Sequence, residues 1–483
     1  MSLREDHVLL INPPYFEHVF GRSAIRGAVA PGTIILSLAA VAPAVRELGF
    51  KVRLLDLNLE PEPKERYLKE LADFRPRFVA FTFTTSIFHI VKEYAAIARE
   101  LFSDVKLIGG GTHASLMPED VLRETELDVV ARGEGDFTLA EIVSGMKYKE
   151  IFGITYKEDG RIVSTPARPL VFDLDRVPFP ALDLYDVPKY RHPRFMAHRN
   201  PVAYMETSRG CYGACNFCNA RRTKLRRKSV DRVIEEMKYV LSLGFREIHL
   251  ADDLFTADLK RVKEICRAII NNRLDISWYP RAGIRVDHVD IELFELMKRA
   301  GVWSVPFGIE SGNEQILKRI GKNTTLDQVR NAVKLARSVG LTTEGYFMVG
   351  HPDETEETMK ETIHFATSIG LDYAKFTINT PLPGTPLFEE WDRAGVIKTK
   401  DWSKYNFHTP PRELYDHPNL DWQTIDKYYK LGMKTFYFRP SYILKRGLKD
   451  LMAGQLLPNL KVLIRSLPNW RAPEPTSRID GAH

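Results

Sequence analysis

The feature that most constrains this chain is a group of three cysteines, Cys211, Cys215 and Cys218, within eight residues. The rest of the sequence contains one more cysteine, Cys266. Thiolates this close together repel one another and oxidise unless a metal holds them, and sulfur ligands select zinc, copper(I) or an iron–sulfur cluster. A closed zinc site needs a fourth protein ligand, which no second cysteine pair or nearby histidine supplies. The spacing favours an iron–sulfur cubane with one open iron, and a structural zinc loop or a chance cluster is the alternative.

The sequence around these cysteines is similar to that of the radical S-adenosylmethionine (SAM) superfamily. The shared pattern is Cys-x3-Cys-x-aromatic-Cys, in which Phe217 is the aromatic residue, and the apolar run 202–205 matches the strand before the loop. The resemblance implies a [4Fe-4S] cluster held by Cys211, Cys215 and Cys218, with SAM on the open iron and Phe217 close to it. Cys266 belongs to an amphipathic helical pattern, which is typical of a buried small hydrophobic residue.

Length and composition indicate a globular protein of two or three domains. A chain of 483 residues exceeds what one hydrophobic core usually supports, and 44% hydrophobic with 27% charged residues is ordinary for globular proteins. Four cysteines argue against a disulfide framework, and an oxygen-sensitive cluster requires a reducing compartment. The sequence shows no secretory signal pattern and no apolar run of about 20 residues that would span a bilayer, so we expect a cytoplasmic protein.

The first 150 residues alternate short apolar strands with helical patterns. Five such βα units predict a doubly wound parallel sheet, which binds ligands where loops gather at the carboxyl ends of its strands. The loops at that edge are rich in small residues, and consecutive glycines suit a ligand that lies close to the backbone. The candidate ligand-binding residues are Thr84, Thr85, Ser86, Gly109, Gly110, Gly111, Thr112, His113, Gly133 and Glu134.

This half of the chain resembles the cobalamin-binding domain of radical SAM enzymes related to the anaerobic magnesium-protoporphyrin monomethyl ester cyclase and to class B radical SAM methyltransferases. The resemblance rests on Asn12-Pro13-Pro14, a helix opened by Pro31-Gly32, and the glycine-rich runs 109–113 and 132–135. It implies base-off cobalamin with its nucleotide tail threaded past these loops. The motif Asp-x-His-x-x-Gly is absent, so His113 is not assigned as a cobalt ligand. A domain of the same fold that uses no cobalamin is the alternative.

From Pro201 onward, six strand-then-helix units predict a (β/α)6 partial TIM barrel, whose functional residues should lie at the carboxyl ends of the strands. The expected fold class is α/β: a doubly wound parallel sheet, then the partial barrel, then a helical segment. The expected domains are a cobalamin-binding Rossmann-like domain at 1–148, a connector at 149–199, the radical SAM barrel at 200–395, and a mostly helical, basic C-terminal segment at 396–483.

Several polar residues at the predicted barrel top resemble SAM-binding positions of the superfamily. Carboxylates suit the amino group and ribose hydroxyls of SAM, and an arginine fork suits its carboxylate. The resemblance implies SAM contacts from Phe217, Asp252, Asp253, Arg285, Glu310, Ser311 and Tyr346. Arg281 is an alternative to Arg285, and Lys322 lies where the family has a lysine. Helix capping is the alternative for the Asp pair and for Ser311.

Positive charge is concentrated at the C-terminal end. Residues 425–483 contain eleven Lys or Arg against four Asp or Glu, whereas the whole chain has a net charge of +6. The pattern from Tyr442 to Leu467 predicts basic helices with a leucine face, which suit a membrane interface or a lipid-like substrate. Docking onto the barrel is the alternative for these helices.

By resemblance, the chain is expected to be a cobalamin-dependent radical SAM methyltransferase. Such an enzyme cleaves SAM reductively to a 5′-deoxyadenosyl radical, abstracts hydrogen from an unactivated carbon and transfers a methyl group from methylcobalamin. It needs a small-molecule substrate, for which the basic, leucine-faced C-terminal pattern favours a hydrophobic or anionic molecule, and a one-electron reductant such as ferredoxin or flavodoxin. A radical SAM cyclase, oxidase or carbon–carbon coupling enzyme is the alternative within the superfamily. A metal-binding or nucleic-acid-binding protein is the alternative from another class, and it predicts salt-sensitive binding without SAM cleavage.

Overall fold

The structure, a computed structural model, describes residues 3–16, 18, 32–287, 289–405, 412–444 and 447. Its strands fall into two groups, one before residue 165 and the other after residue 201. The basic helices predicted between Tyr442 and Leu467 lie almost wholly outside the described residues. Among the helices in the described ranges, none is both long and apolar enough to cross a membrane.

The N-terminal group forms one seven-stranded sheet in the order β2-β1-β3-β4-β5-β6-β7. Its strands are β1 (Arg4–Asn12), β2 (Lys51–Asp56), β3 (Pro76–Thr82), β4 (Lys106–Gly110), β5 (Val129–Ala131), β6 (Ile154–Glu158) and β7 (Arg161–Ser164). The first five strands are parallel, as predicted, whereas β6 and β7 pair antiparallel at one edge. The hairpin of β6 and β7 lies within the predicted connector at 149–199 and extends this sheet.

Helices cover both faces of this sheet. In β1, Leu9 and Ile11 point into one apolar core and Val8 and Leu10 into the other, and all four are fully buried. This alternation follows from the two-residue period of a strand. The helices of this region are Leu36–Glu47, Pro63–Phe74, Phe88–Leu101, Thr112–Leu116, Pro118–Glu124 and Thr138–Val143. Because both faces are covered, the loops at the carboxyl ends of the parallel strands are the natural place for a ligand.

The second group contains the six predicted strand-then-helix units. Its parallel strands pair as β8-β11-β12 and β13-β14-β15, and isolated bridges at Trp278–Val302 and Ile284–Phe307 link the two sheets. The strands are β8 (Val202–Met205), β9 (Ser208–Arg209), β10 (Arg226–Arg227), β11 (Glu247–Leu250), β12 (Ser277–Pro280), β13 (Ser304–Glu310), β14 (Thr342–Val349) and β15 (Tyr373–Ile378). The short strands β9 and β10 pair with each other beyond β8.

The outer helices of this group begin at local capping residues. Asp258, for example, accepts the Arg261 N–H (3.1 Å) and caps the helix that contains Cys266, which is fully buried as predicted. The helices are Val230–Ser242, Leu259–Asn271, Ile291–Arg299, Glu314–Arg319, Leu326–Ser338, Glu356–Ser368 and Pro386–Arg393. The apolar faces of five of them form the largest described core together with side chains of the strands, whereas Glu314–Arg319 packs in a small separate cluster and Pro386–Arg393 packs in a core shared with the N-terminal sheet.

The described part of the C-terminal segment contacts both halves of the chain. Tyr428 and Phe436, in the helix Trp422–Tyr437, are buried in the core of the second group. Trp402 and Tyr405 are buried in a core that the N-terminal sheet provides. These aromatic residues therefore pack the C-terminal segment against both halves of the chain.

Candidate active site

The three cysteines lie on the loop that follows β8, and the pairing of β9 with β10 closes the base of this cysteine loop. Gly210 at its start has a φ of +97°, and a Cβ there would lie 2.3 Å from the Lys224 carbonyl oxygen. Only glycine fits this position. Thr223 closes the loop further, because its hydroxyl accepts the Cys211 N–H (2.9 Å) and its own N–H donates to the Cys211 carbonyl (2.9 Å).

Two neighbouring segments hold the cysteine loop from outside. The Asn216 N–H donates to the Ile320 carbonyl (2.9 Å), and the Leu387 N–H donates to the Asn216 carbonyl (3.1 Å). Gly321 packs so closely that a Cβ there would lie 2.5 Å from the Ala214 carbonyl oxygen. The turn after the helix Glu314–Arg319 therefore fixes the backbone on both sides of Cys215.

The surroundings of the thiols fit an iron–sulfur cluster. Burial raises the pKa of the Cys215 and Cys218 thiols, and at Cys215 the Lys322 ammonium opposes this effect. Thiols with a raised pKa keep their protons at neutral pH unless a metal displaces them. Both polar atoms of the Asn216 side chain are buried without a hydrogen-bond partner among the described residues, whereas buried polar groups are nearly always paired. The loop is therefore built around a group that the polypeptide does not supply.

Within the described ranges, no set of three or more His, Cys, Asp or Glu side chains converges closely enough to hold one metal ion.

A buried ion pair lies beside the cysteine loop. Lys322 Nζ is 3.0 Å from Glu310 Oε1, and these side chains are only 10% and 11% exposed. Burial works against the Lys322 ammonium, but Glu310 and Cys215 raise its pKa overall. A Cβ on Gly308 would lie 2.9 Å from Lys322 Nζ, so glycine makes room for the pair. Glu310 itself has a φ of +70°, which costs a non-glycine residue on the order of 1–3 kcal/mol and is concentrated at functional sites.

Arg285 faces the same group. Its Nη2 donates to Asp287 Oδ2 (2.7 Å) and to the Lys322 carbonyl (3.2 Å). A Cβ on Gly213, in the cysteine loop, would lie 3.7 Å from Arg285 Nη1. Arg281 instead donates to the Tyr204 hydroxyl (2.6 Å) on the inner side of the strands. The structure therefore brings Arg285 to the cysteine loop and leaves Arg281 further inside.

The two acidic residues after β11 have different surroundings. Asp252 is buried and accepts three hydrogen bonds, from the Thr207 N–H (2.7 Å), the Thr207 hydroxyl (2.6 Å) and the Ser208 hydroxyl (2.6 Å). Asp253 is exposed, accepts the Gly210 N–H (2.9 Å) and lies close enough to Cys218 to raise the pKa of that thiol. Asp252 thus fastens the chain beyond β8, and Asp253 is the carboxylate that faces the cysteine loop.

These surroundings predict opposite outcomes for the two Asp-to-Asn variants. Asp252→Asn breaks up a buried hydrogen-bond set, so we expect a loss of about 1–3 kcal/mol in unfolding free energy without a change in the KM for SAM. Asp253→Asn should raise the KM for SAM about tenfold and leave stability nearly unchanged. Chemical denaturation and a SAM cleavage assay measure the two effects. The assignment is wrong if the KM changes only in Asp252→Asn.

Three other predicted SAM contacts have side chains that bond to or pack against other residues of the protein. Ser311 is fully buried, with its hydroxyl 3.1 Å from the Thr362 hydroxyl and accepting the Asn313 N–H, so its surroundings match the capping alternative. The ring of Phe217 packs against that of His351, with 5.9 Å between their centroids. The Tyr346 hydroxyl lies 3.1 Å from the Tyr279 hydroxyl, on the inner face of the strands.

The inner face of the strands encloses a cavity of about 460 Å³, here named the barrel cavity. Arg281, Glu310, Glu344, Tyr346 and Lys375 contribute to its wall. Because Glu310 lines the barrel cavity and also pairs with Lys322, the cavity extends to this ion pair beside Cys215. Glu344 and Lys375 were not predicted from the sequence, although charged residues at the two-residue period of otherwise apolar strands were a signal for them.

A second cavity, of about 390 Å³, lies at the carboxyl edge of the N-terminal sheet and is named the sheet-edge cavity. Half of the predicted cobalamin contacts line it, and they are Gly109, Gly110, Gly111, Gly133 and Glu134. The three consecutive glycines present bare backbone, and a Cβ on Gly133 would meet no atom within 4 Å. Leu36, Val41 and Ile108 add an apolar wall. A cavity of this size with apolar walls and few polar groups suits part of a large organic cofactor.

The other five predicted cobalamin contacts do not line the sheet-edge cavity, and they are Thr84, Thr85, Ser86, Thr112 and His113. The fully buried His113 places its Nδ1 3.2 Å from the Thr85 hydroxyl, and its ring packs edge-on against Trp402. Burial lowers the pKa of His113 to about 4. This histidine therefore belongs to the contact between the sheet and the C-terminal segment.

Arg209 joins the sheet-edge cavity to the cysteine loop. Its guanidinium donates to both carboxylate oxygens of Asp136 (2.8 Å each) and to Glu206 Oε1 (2.7 Å). Arg226 pairs with Glu134 at 2.5 Å. These ion pairs therefore join the base of the cysteine loop, predicted to hold the cluster, to the loop after β5, predicted to contact cobalamin.

A buried acid lies at the carboxyl end of β14. Glu354 Oε2 accepts the His351 N–H (2.9 Å), while Oε1 has no hydrogen-bond partner among the described residues. Burial raises the pKa of Glu354 to about 8. Between the ordinary pKa of a glutamate and pH 8, the unfolded chain releases this proton and the folded chain keeps it, so stability is lost as the pH rises.

Replacing this acid with an amide should remove that pH dependence. The stability of Glu354→Gln relative to the natural protein should rise between pH 6 and pH 8 by about 1.4 kcal/mol per pH unit, measured by denaturation. Glu357→Gln is the control, because Lys360 lowers the pKa of Glu357 and no proton exchange on it falls in this window. Parallel stability curves for Glu354→Gln and the natural protein would refute the assignment.

Comparisons with known proteins match both halves of the chain. The Radical SAM superfamily matches residues 205–366, which contain the cysteine loop and most of the second strand group. The B12 binding domain matches residues 23–143, which contain the glycine-rich loops of the sheet-edge cavity.

Individual relatives span nearly the whole chain. An uncharacterized methyltransferase of Pyrococcus horikoshii is 36% identical over 447 residues, which cover 91% of this chain and 94% of that protein. The anaerobic magnesium-protoporphyrin IX monomethyl ester cyclase of Rubrivivax gelatinosus is 29% identical and covers 94% of this chain and 82% of its own. The cobalamin-dependent SAM radical enzyme OxsB, solved with aqua-cobalamin and SAM, has the same fold, with a TM-score of 0.71 at 18% identity over 94% of this chain and 72% of that one.

Proposed function

We propose that this protein is a methyltransferase acting on an unactivated carbon. The chain belongs to the radical SAM superfamily, in the branch with an N-terminal B12 binding domain. The chain is an enzyme, and its cofactors are a [4Fe-4S] cluster, SAM and cobalamin. The superfamily, the α/β fold class and these cofactors were all predicted from the sequence. When bound, the cluster supplies the electron that cleaves SAM, and cobalamin supplies the methyl group.

The residues beside the cysteine loop divide the binding of SAM among them. In this proposal Cys211, Cys215 and Cys218 hold the cluster. Asp253 accepts hydrogen bonds from the SAM amino group, and Arg285 donates to the SAM carboxylate. Glu310, held in place by Lys322, accepts from the ribose hydroxyls. Asp252 and Ser311 position the backbone without touching SAM.

In this proposal the two cavities hold the reacting molecules on either side of the cysteine loop and its SAM-binding residues. The barrel cavity holds the substrate, and the sheet-edge cavity holds part of the cobalamin against Gly109, Gly110, Gly111, Gly133 and Glu134. Arg209, bound to Asp136, keeps the cobalamin loops at a fixed distance from the cysteine loop.

One observation carries the proposal. The cysteine loop lies between the barrel cavity, which it reaches through Glu310, and the sheet-edge cavity, which it reaches through Arg209. A methyl transfer that needs SAM, a methyl carrier and a substrate in contact requires such an arrangement.

The test uses the anaerobically reconstituted enzyme with methyl-labelled SAM, added cobalamin, a low-potential reductant and a metabolite extract. The expected result is 5′-deoxyadenosine and S-adenosylhomocysteine together with a new metabolite that carries the label. Formation of 5′-deoxyadenosine without any labelled product would instead favour the cyclase, oxidase or coupling alternative. Absence of SAM cleavage would contradict both.

Further parts of the sequence prediction belong to this proposal. These are the domain limits 1–148, 149–199, 200–395 and 396–483, with the hairpin β6–β7 of the connector paired to the N-terminal sheet, a one-electron reductant such as ferredoxin or flavodoxin, and residence in the cytoplasm. A peripheral membrane contact through the C-terminal basic helices concerns residues that are mostly outside the described ranges.

A further inference from the structure

The charges on the wall of the barrel cavity do not balance. Two cations, Arg281 and Lys375, and two acids, Glu310 and Glu344, line the cavity. Glu310 is already paired with Lys322. Glu344 Oε1 accepts the Ser304 hydroxyl (2.6 Å), and its Oε2 accepts the Tyr279 hydroxyl (2.9 Å). Glu310 is therefore neutralised by Lys322, a cation outside this wall, whereas Glu344 accepts only from hydroxyl groups and keeps its charge. Arg281 and Lys375 thus face a single uncompensated acid, Glu344.

Lys375 lies on the wall of the barrel cavity with its ammonium group available. In the register of β14 and β15 it lies beside Tyr346, so both side chains face the barrel cavity. Its side chain is exposed to solvent through the cavity. Surrounding protein and then Arg281 lower the pKa of the ammonium group, and Glu344 opposes this effect. Among the described residues it has no hydrogen-bond or ion-pair partner within the usual distances.

Arg281 adds a second donor to the same space. Its Nη1 binds the Tyr204 hydroxyl at 2.6 Å, but no carboxylate among the described residues pairs with its guanidinium. Aromatic side chains form the neighbouring wall, where the rings of Tyr279 and Trp303 stack with 5.3 Å between their centroids. The cavity thus combines unpaired positive charge with a flat apolar surface.

We propose that the substrate carries an anionic group, a carboxylate or a phosphate-type group, which binds Lys375 and Arg281 while the apolar remainder lies against Tyr279 and Trp303. This inference rests on the proposed function, because it takes the barrel cavity as the substrate site. Lys375 is then a specificity-determining residue that selects anions over neutral molecules of the same shape. Glu310 belongs to the same wall, so this anion site lies next to the ion pair of Glu310 and Lys322 beside Cys215.

The test measures the binding of small probes to the anaerobically reconstituted enzyme by equilibrium dialysis in phosphate-free buffer. Phenylacetate and phenyl phosphate are the two anionic probes, and phenylacetamide is the neutral match for phenylacetate. The natural enzyme should bind at least one anion about tenfold more tightly than phenylacetamide. The preferred anion tells a carboxylate substrate from a phosphate-type one. Equal affinities for all three probes, or no binding of any, would overturn the inference.

Variants tie the preference to the residue. Lys375→Met and Lys375→Gln should lose the preference for the anion, Lys375→Arg should keep it, and Lys69→Met, an exposed lysine of the N-terminal domain, should not change it. A preference that survives in both neutral variants would overturn the inference. Substrate-independent SAM cleavage is assayed in the same samples. Normal cleavage without a Lys375-dependent preference refutes this inference alone, whereas absent cleavage with an intact preference refutes the proposed function alone.

Discussion

Cys218→Ala should lose its bound iron and at least about 100-fold of its SAM cleavage, since even residues that only support metal ligands typically contribute 10- to 100-fold. The physical reason is that a cubane needs all three thiolates of the cysteine loop. Cys218 is partly buried and its neighbours offer no other sulfur, because the remaining cysteine, Cys266, lies in the core of the second strand group. Iron analysis and quantification of 5′-deoxyadenosine measure the result.

Cys266→Ala is the matched control for this experiment. It also removes one cysteine, but from a fully buried position within a helix, so we expect a small loss of stability and no change in iron content or SAM cleavage. If Cys218→Ala keeps its iron, or if Cys266→Ala loses it, the cysteine loop is not the cluster site.

Lys322→Met should cost about 3–5 kcal/mol of unfolding free energy, because it leaves the buried Glu310 carboxylate without its partner. The variant should also lose SAM cleavage, since Lys322 holds Glu310 in the position from which it reaches SAM. Denaturation of the anaerobic protein measures the first effect and the 5′-deoxyadenosine assay the second.

A double variant separates these two effects. Glu310→Gln combined with Lys322→Met removes both charges, so most of the lost stability should return while SAM cleavage stays low. Lys318→Met, an exposed lysine in the preceding helix, should change neither quantity. Recovery of SAM cleavage in the double variant would show that the pair has a structural role only.

The strands could be predicted because each is a short apolar run between breaks. The apolar run 202–205 is β8, and all six predicted strand-then-helix units of the second group are present. The place of the hairpin β6–β7 could not be predicted, because pairing with β5 depends on contacts between strands and not on the composition of the hairpin.

The cysteines could be assigned because three thiols this close in sequence, without a disulfide framework, are typical of metal and cluster sites. The separate roles of Asp252 and Asp253 could not be predicted, because adjacent side chains point in different directions. Only the fold shows that Thr207 donates its hydrogen bonds to Asp252. The same holds for Ser311, whose hydroxyl meets a partner 51 residues away in sequence. Lys375 was missed because a single lysine in a strand usually points to bulk solvent, and only the arrangement of the strands shows that this one lines a cavity.

The most direct measurement of the central claim is electron paramagnetic resonance of the anaerobically reconstituted, dithionite-reduced enzyme with and without SAM. If the cysteine loop holds a [4Fe-4S] cluster with one open iron, the reduced protein gives the signal of a reduced cluster, and SAM changes that signal by binding to the iron. A reduced protein without a cluster signal, or a cluster signal that saturating SAM leaves unchanged, would contradict the account.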